Sequence, residues 1–188
     1  MTLRAAGDWI DYEITFLEMT SPPASPPRAL PNGAVLENVG PPGDALLLSF
    51  YTRVGEAYEW TDMLHRPAEE RAAYASDPGR EMHILRLPDG QEGGFFLLDF
   101  TEMPVADLGY FGLLPAALGG GYGRALLEQA VALLWAREGV STVTVNTCTL
   151  DHPRALPLYK SVGFRPVRRV WAQRQLTRPR EISMRKAP

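Results

Sequence analysis

The part of this chain whose residue types and spacing could do chemistry is a run of glycines between an apolar stretch and a helix start: Leu113-Leu114-Pro115-Ala116-Ala117-Leu118-Gly119-Gly120-Gly121-Tyr122-Gly123-Arg124-Ala125. Glycine lets backbone come close to a ligand and take positive φ. The first amides of the helix that follows have no intrahelical partner and carry the positive end of its dipole. Together these make an anion site, and a pyrophosphate suits it because its oxygens can meet adjacent N–H groups without a lysine. A phosphate loop of the NTPase kind would end Gly-Lys-Ser/Thr, whereas Gly123 is followed by Arg124 and Ala125. A dinucleotide fingerprint counted from Gly119 needs a glycine where Arg124 stands, and no acidic residue ends the next strand to hold a ribose.

The run resembles the acyl-CoA motif of GNAT acetyltransferases, Gln/Arg-x-x-Gly-x-Gly/Ala, with Leu118, Gly121 and Gly123 at its three defined positions. Leu118 departs from the pattern, being apolar where the family has a polar or basic side chain, and Gly120 stands where a basic residue is common. A second run, Asp151 to Phe164, resembles the family's Asn-x-x-Ala-x-x-x-Tyr-x-x-x-Gly-Phe segment: Ala155, Tyr159, Gly163 and Phe164 match in register, and His152 replaces the Asn. The resemblance is clearest over 82–164. It implies one α/β (α+β) domain over 1–188, with a mixed, mostly antiparallel sheet of six to seven strands, about four flanking helices and a V-shaped splay between the fourth and fifth strands. It also implies acetyl-CoA as co-substrate, no metal, and direct transfer of an acetyl group to a primary amine of a small molecule or peptide. The other reading, left open by the missing charge at Leu118 and Gly120, is a CoA-binding sensor of the same fold with little or no catalysis.

By the same resemblance, acetyl-CoA would lie along the backbone of Phe111, Gly112, Leu113 and Leu114, over the turn from Leu118 through Gly119, Gly120, Gly121, Tyr122 and Gly123 to Arg124 and Ala125, and against His152, Ala155 and Tyr159. Gly112 is expected to ease a bulge and a close approach. Tyr159 matches the general acid, since a phenol near pKa 10 stays protonated until a thiolate departs; as an aromatic on a short helix it could equally pack on Phe164. Asp107 lies near where some members place a catalytic base and is short enough to act through water, unless it is a surface-strand carboxylate. His152 could meet CoA or the amine, or simply precede a helix. Thr147 sits where other members carry an acid and cannot serve as a base. Cys148 reads as a small strand-end residue, with no His or Asp spacing to activate it. Acids and aromatics interleave at Glu56, Tyr58, Glu59, Trp60 and Asp62, and a cationic or aromatic acceptor could face Tyr58, Glu59, Trp60 and Thr147; the plainer alternative is a helix–helix loop pinned by aromatics.

These groups must be held by regular elements. Alternation predicts a first strand over 12–19, and five prolines over 21–31 predict an extended connection. A helix is expected from Asp44 as its cap to about Val54, and another from Pro67 to the Asp77-Pro78-Gly79 stop. Short β-rich runs over 82–87 and 94–100 joined by Pro88-Asp89-Gly90 predict a hairpin, with a third strand over 105–114. Leu127, Ala130, Val131 and Leu134 form a helical stripe that Gly139 ends. A β-branched run over 140–147, a helix over 153–161 and a strand over 164–176 follow.

Composition sets the outer bounds. At 188 residues and 45% hydrophobic, the chain can bury a full core, and a net charge of −3 leaves no broad cationic field for nucleic acid. Arg165, Arg168, Arg169, Arg174, Arg178, Arg180, Arg185 and Lys186 concentrate near the C-terminus and read as the wet face of a strand. The single cysteine cannot form an internal disulfide, the three histidines show no zinc spacing, and no run of about 20 apolar residues or leader-like start is present, so a cytoplasmic protein is expected, possible as a homodimer.

Overall fold

The computed structural model describes residues 2–182; Arg185 and Lys186 lie outside them. In chain order the strands are β1 (Thr2–Arg4), β2 (Trp9–Met19), β3 (Val35–Gly40), β4 (Arg80–Arg86), β5 (Glu92–Asp99), β6 (Val105–Leu113), β7 (Thr142–Cys148), β8 (Arg165–Gln175) and β9 (Arg180–Ile182). The helices are α1 (Gly43–Gly55), α2 (Asp62–His65), α3 (Ala68–Ser76), α4 (Tyr122–Ala136) and α5 (Ala155–Ser161). Seven strands form one sheet in the order β3-β4-β5-β6-β7-β2-β8, and β1 pairs with β9 in a separate ribbon. Every pairing in the large sheet is antiparallel except β6 with β7. A parallel pair needs a long crossover, and α4 supplies it.

Helices cover both faces around the sheet centre, so β5 is buried on both sides, which is why Phe95-Phe96-Leu97-Leu98 reads as an unbroken apolar run. Phe95 and Leu97 pack with Leu47, Phe50, Tyr51 and Val54 of α1. Phe96 and Leu98 pack with Leu126, Leu127, Ala130, Val131 and Leu134 of α4. Each such side chain contributes roughly 1.5–3 kcal/mol by leaving water.

One feature differs from the expectations and two go beyond them. Asp44 does not cap α1; it lies inside the first turn and pairs with Arg71 of α3, with Arg71 Nε 2.5 Å from its Oδ1. The proline segment is docked as well as extended, because the Arg28 N–H donates to Glu128 Oε2 at 3.0 Å and Gln129 Nε2 donates to the Arg28 carbonyl at 2.7 Å. The N-terminal strand β2 is inserted between β7 and β8, a long-range pairing that local alternation cannot show. Among the described residues no helix is long and apolar enough to cross a membrane, and no group of three or more His, Cys, Asp or Glu side chains is placed to hold a metal.

Candidate active site

The site begins where two neighbouring strands part. β6 and β7 pair only at Val105–Thr142, Ala106–Val143 and Asp107–Thr144. Two residues past Asp107 the β5–β6 register shifts, with Leu98 opposite Leu108 and Leu97 opposite Tyr110, so Gly109 is the extra residue of a bulge. A bulge bends its strand and increases its twist, which turns β6 away from β7. The bulge is therefore at Gly109 and not at Gly112. Gly112 serves the close approach instead: a Cβ there would lie 2.2 Å from Val54 Cγ1 of α1.

A cleft of about 640 Å³ fills the resulting gap. One of its edges is bare backbone. The Leu114 N–H donates to Gly93 O, towards β5, so by strand alternation the amides of Leu113 and Phe111 point the other way, into the gap. Past β6 the chain makes the glycine turn. Gly119 and Gly121 each have φ of +78°, with open space where a Cβ would be, so conformation and not crowding calls for glycine there. Gly121 is the residue from which α4 starts, and no side chain caps that helix, leaving its first amides to a ligand. Leu118, Gly119, Gly121, Tyr122, Gly123 and Arg124 line the cleft; Leu114, Gly120 and Ala125 do not. Arg124 ties α4 to α5, its Nε donating to Glu128 Oε1 at 2.8 Å and a guanidinium nitrogen to Ser161 Oγ at 3.1 Å.

Across the gap, α5 presents Ala155 and Tyr159 to the cleft. Tyr159 is 6% exposed, packs edge-on against both Phe111 and Phe164, and its hydroxyl has no hydrogen-bond partner among the described residues. Burial raises its pKa, with the charges of Asp151 and Asp107 adding to the effect, so the phenol holds its proton. Asp107 stands at the apex of the split and not on the cleft lining. Thr144 Oγ1 donates to its Oδ1 at 2.5 Å, while burial pushes its pKa up to about 6.

The remaining candidates separate into those that face the cleft and those that do not. Tyr58, Trp60 and His152 line it, the His152 Nδ1 accepting the Arg154 N–H at 3.1 Å. Thr147 turns its hydroxyl to Asp151 Oδ2 at 2.7 Å and does not line it. Glu59 is buried and faces the C-terminal segment, where its Oε2 accepts from the N–H and the hydroxyl of Thr177 at 3.0 and 2.8 Å. Cys148 does line the cleft, and burial pushes its thiol up to about 12, which keeps it protonated and inert as a nucleophile.

Sequence reasoning missed Tyr12, Tyr110, Asp151 and Arg174. Asp151 accepts from Trp60 Nε1 at 3.1 Å and from the Cys148 N–H at 2.8 Å. Arg174, expected on a wet face, has a side chain only 15% exposed, which donates to the Glu59 carbonyl and to Asp62 Oδ1 and sits over the Tyr12 ring. The only available signal was the alternation of β2 and β8, which places Tyr12 and Arg174 on strand faces without saying what those faces meet.

This arrangement can now be set beside known proteins. The profile of the acetyltransferase (GNAT) family matches residues 47–164. No curated protein sequence matches the chain. Among solved structures, a GCN5-related N-acetyltransferase from Sphaerobacter thermophilus superposes with a TM-score of 0.59 at 20% identity, over 94% of this chain and 54% of its own. A second, from Kribbella flavida, gives 0.59 at 16% identity over 86% and 56%. An aminoglycoside acetyltransferase from an uncultured soil metagenomic sample gives 0.54 at 15% identity over 72% and 90%. The chain thus spans little more than half the length of the first two. These likenesses support the fold, and the profile match, covering more than half of the sequence, decides membership: the chain belongs to the GNAT acetyltransferase family.

Proposed function

We propose that the protein is an acetyl-CoA-dependent N-acetyltransferase, working as one domain, that passes an acetyl group directly to a primary amine in a ternary complex. The observation that carries this reading is the cleft itself, in which the open amides of Phe111 and Leu113, the glycine turn and Tyr159 face one space. The residues fit the co-substrate. An unbranched turn with two positive-φ glycines and an uncapped helix start is suited to a pyrophosphate, and a bare strand edge is suited to the amides of a pantetheine arm. Acetyl-CoA supplies an acyl thioester, which an uncharged amine can attack.

The chain's own groups have distinct tasks. The backbone N–H of Phe111 or Leu113 is available to an acyl oxygen as it gains charge, a contribution that needs no side chain. Tyr159 lines the cleft with its ring buried, and its Oη holds a proton and has no competing partner among the described residues, as a donor to a departing thiolate requires. Asp107 at the apex, with a pKa near 6, is ionised above that pH and can accept the amine's proton through water. On this assignment kcat/KM falls on the acid side near pH 6.

The test is calorimetric titration of the full chain with acetyl-CoA, with dephospho-CoA and Gly121→Glu as controls, followed by thiol release with amines. Binding to the native chain that Gly121→Glu loses, together with amine-dependent thiol release, is the expected result. No binding of acetyl-CoA overturns the proposal. Binding without release of thiol for any amine leaves the chain as a CoA sensor.

A further inference from the structure

The acceptor half of the cleft is rich in aromatic rings. Tyr51, Trp60 and Tyr110 pack on one another with ring centroids 5.4, 5.3 and 5.6 Å apart. Tyr12 of β2 and Tyr58 of the loop after α1 also line it. Tyr51 is buried and the other four rings are half-buried, and flat, mutually supported faces of this kind are a surface for another ring, their quadrupoles also favouring a cation.

Trp60 is fixed from several directions. Gly55 must be glycine, since a Cβ there would meet Trp60 Cβ at 2.3 Å. The Trp60 N–H donates to the Gly55 carbonyl at 3.1 Å, and the indole Nε1 crosses to Asp151, beyond β7. The preceding residue, Glu59, sits at φ of +61°, a conformation costly for a residue with a side chain, and Thr177 and Arg174 hold it there. A strained residue held this firmly, placing an indole in a cleft, is the way a recognition surface is made.

The charges narrow the class of ligand. Asp151 and Asp62 line this half, but Asp62 is paired with Arg174 at 2.9 Å; the negative charge left over is that of Asp151, which accepts only from the neutral donors of Trp60, Thr147 and Cys148. Burial first, then the charge of Asp151, raises the pKa of both Tyr58 and Cys148, so the carboxylate acts on the space between them. The one cation lining this half among the described residues is Arg174, and its guanidinium is already engaged by the Glu59 carbonyl and Asp62. Arg180 does not line the cleft; Arg124, in the first turn of α4, is committed to Glu128 and Ser161, and Arg154 lines the cleft next to His152, just before α5. Of the arginines lining the cleft, only Arg174 lies over one of these rings among the described residues, so a carboxylate carried beside a ring held there would meet a cation already paired.

Resting on the acetyltransferase reading above, we propose that the acceptor is an aryl-alkyl amine without a carboxylate, its ring on the Trp60, Tyr110 and Tyr12 walls and its ammonium group in the field of Asp151. Before attack the ammonium loses one proton to solvent or through water to Asp107; the neutral nitrogen then bonds to the acetyl carbon as the carbon–sulfur bond breaks, the departing thiolate takes the Tyr159 proton, and the nitrogen's second proton returns through solvent to the tyrosinate.

The experiment compares phenethylamine, phenylalanine and butylamine as acceptors of the full chain at saturating acetyl-CoA, following thiol release. Phenethylamine is expected to exceed phenylalanine in kcat/KM by about 30-fold or more, because a carboxylate without a partner is costly to desolvate, and butylamine by about 10-fold. Trp60→Ala is expected to raise the phenethylamine KM about 10-fold while leaving acetyl-CoA affinity by calorimetry unchanged. Should that variant not fold, Tyr12→Leu tests the same walls. Phenylalanine or butylamine used as well as phenethylamine, an unchanged KM in the wall variants, or acetyl-CoA binding with no turnover of any of the three overturns this inference. Failure to bind acetyl-CoA at all instead overturns the preceding one.

Discussion

The two halves of the cleft are made of different material. The donor half is mainly backbone: the open edge of β6, a turn whose positive-φ glycines carry no side chain, and the uncapped start of α4. The acceptor half is side chain, contributed by β2, the loop after α1, β6, the loop after β7 and β8. A backbone site needs a short contiguous stretch to fold one way, and tolerates a change such as apolar Leu118. A side-chain site needs distant segments to arrive together, and every residue in it can be exchanged to suit another ligand.

The contrast is sharpest at Tyr159, the one side chain on which the donor half relies. Tyr159→Phe keeps the ring contacts with Phe111 and Phe164 and removes a hydroxyl that has no hydrogen-bond partner among the described residues. Stability is expected to stay within about 0.5 kcal/mol of the native chain, and kcat to fall about 10³-fold, near 4 kcal/mol, with the acetyl-CoA Kd unchanged. A kcat within a factor of about three of the native value removes the acid role and leaves Tyr159 as packing.

The acceptor half is expected to break differently, through positioning. Gly55→Ala pushes a methyl into the Trp60 side chain, where the nearest atoms are 2.3 to 2.7 Å away. Overpacking of this kind costs about 1–3 kcal/mol and displaces the indole from Asp151. A lowered Tm with a raised acceptor KM, at an unchanged acetyl-CoA Kd, is the expected outcome. A change in acetyl-CoA affinity instead joins the two halves mechanically and weakens the distinction between them.

What could be read from the sequence follows the same division. The strands over β4 to β7, the stripe of α4 and the glycine turn were legible because their determinants are local: alternation, a 3.6-residue period and positive-φ glycines. The edge strand β3 was not, since its Val35-Leu36-Glu37-Asn38-Val39-Gly40 is short, flanked by prolines and interrupted by a register shift between Asn38 and Gly40. Tyr12 and Arg174 were invisible as site residues because β2 and β8 reach the cleft through long-range pairings, Tyr12 lying opposite Ala172 and Arg174 opposite Ile10. Glu59 was misread for a related reason. An acid between aromatics looks like a ligand group, but its left-handed backbone turns it towards Thr177, and nothing in the local sequence signals that conformation for a glutamate.

Asp107 belongs to neither half, lying where the two strands meet, and its effect is expected to depend on pH. Its folded pKa of about 6 lies above the ordinary 3.8, so folding favours the protonated form; that contribution is complete below about pH 4 and is lost as pH rises through 6. Asn cannot ionise and can still accept from Thr144, so Asp107→Asn is expected to match the native chain at pH 4 and to exceed it by about 1–2 kcal/mol at pH 8, read as Tm against pH. The same variant is expected to lose the acid-side fall in kcat/KM along with most of the activity. Equal stabilities at both pH values return Asp107 to the role of a solvated strand carboxylate.

The smallest expected effect tests whether the donor half is complete without side-chain charge. Leu118 is 53% exposed at the start of the turn, where a guanidinium can be added without displacing any packed group. If backbone amides and the α4 dipole already supply most of the anion binding, Leu118→Arg adds only an exposed charge interaction, on the order of 0.5–1 kcal/mol. That corresponds to acetyl-CoA binding about two- to five-fold tighter at 20 mM salt, with the gain fading by about 0.3 M as the Debye length contracts. A gain of a hundredfold instead means that the turn is under-charged for its ligand, and that the native chain trades donor affinity for something else. No gain at low salt places the phosphates deeper on the helix start, out of reach of position 118, where Gly121 and Gly123 hold them by backbone alone.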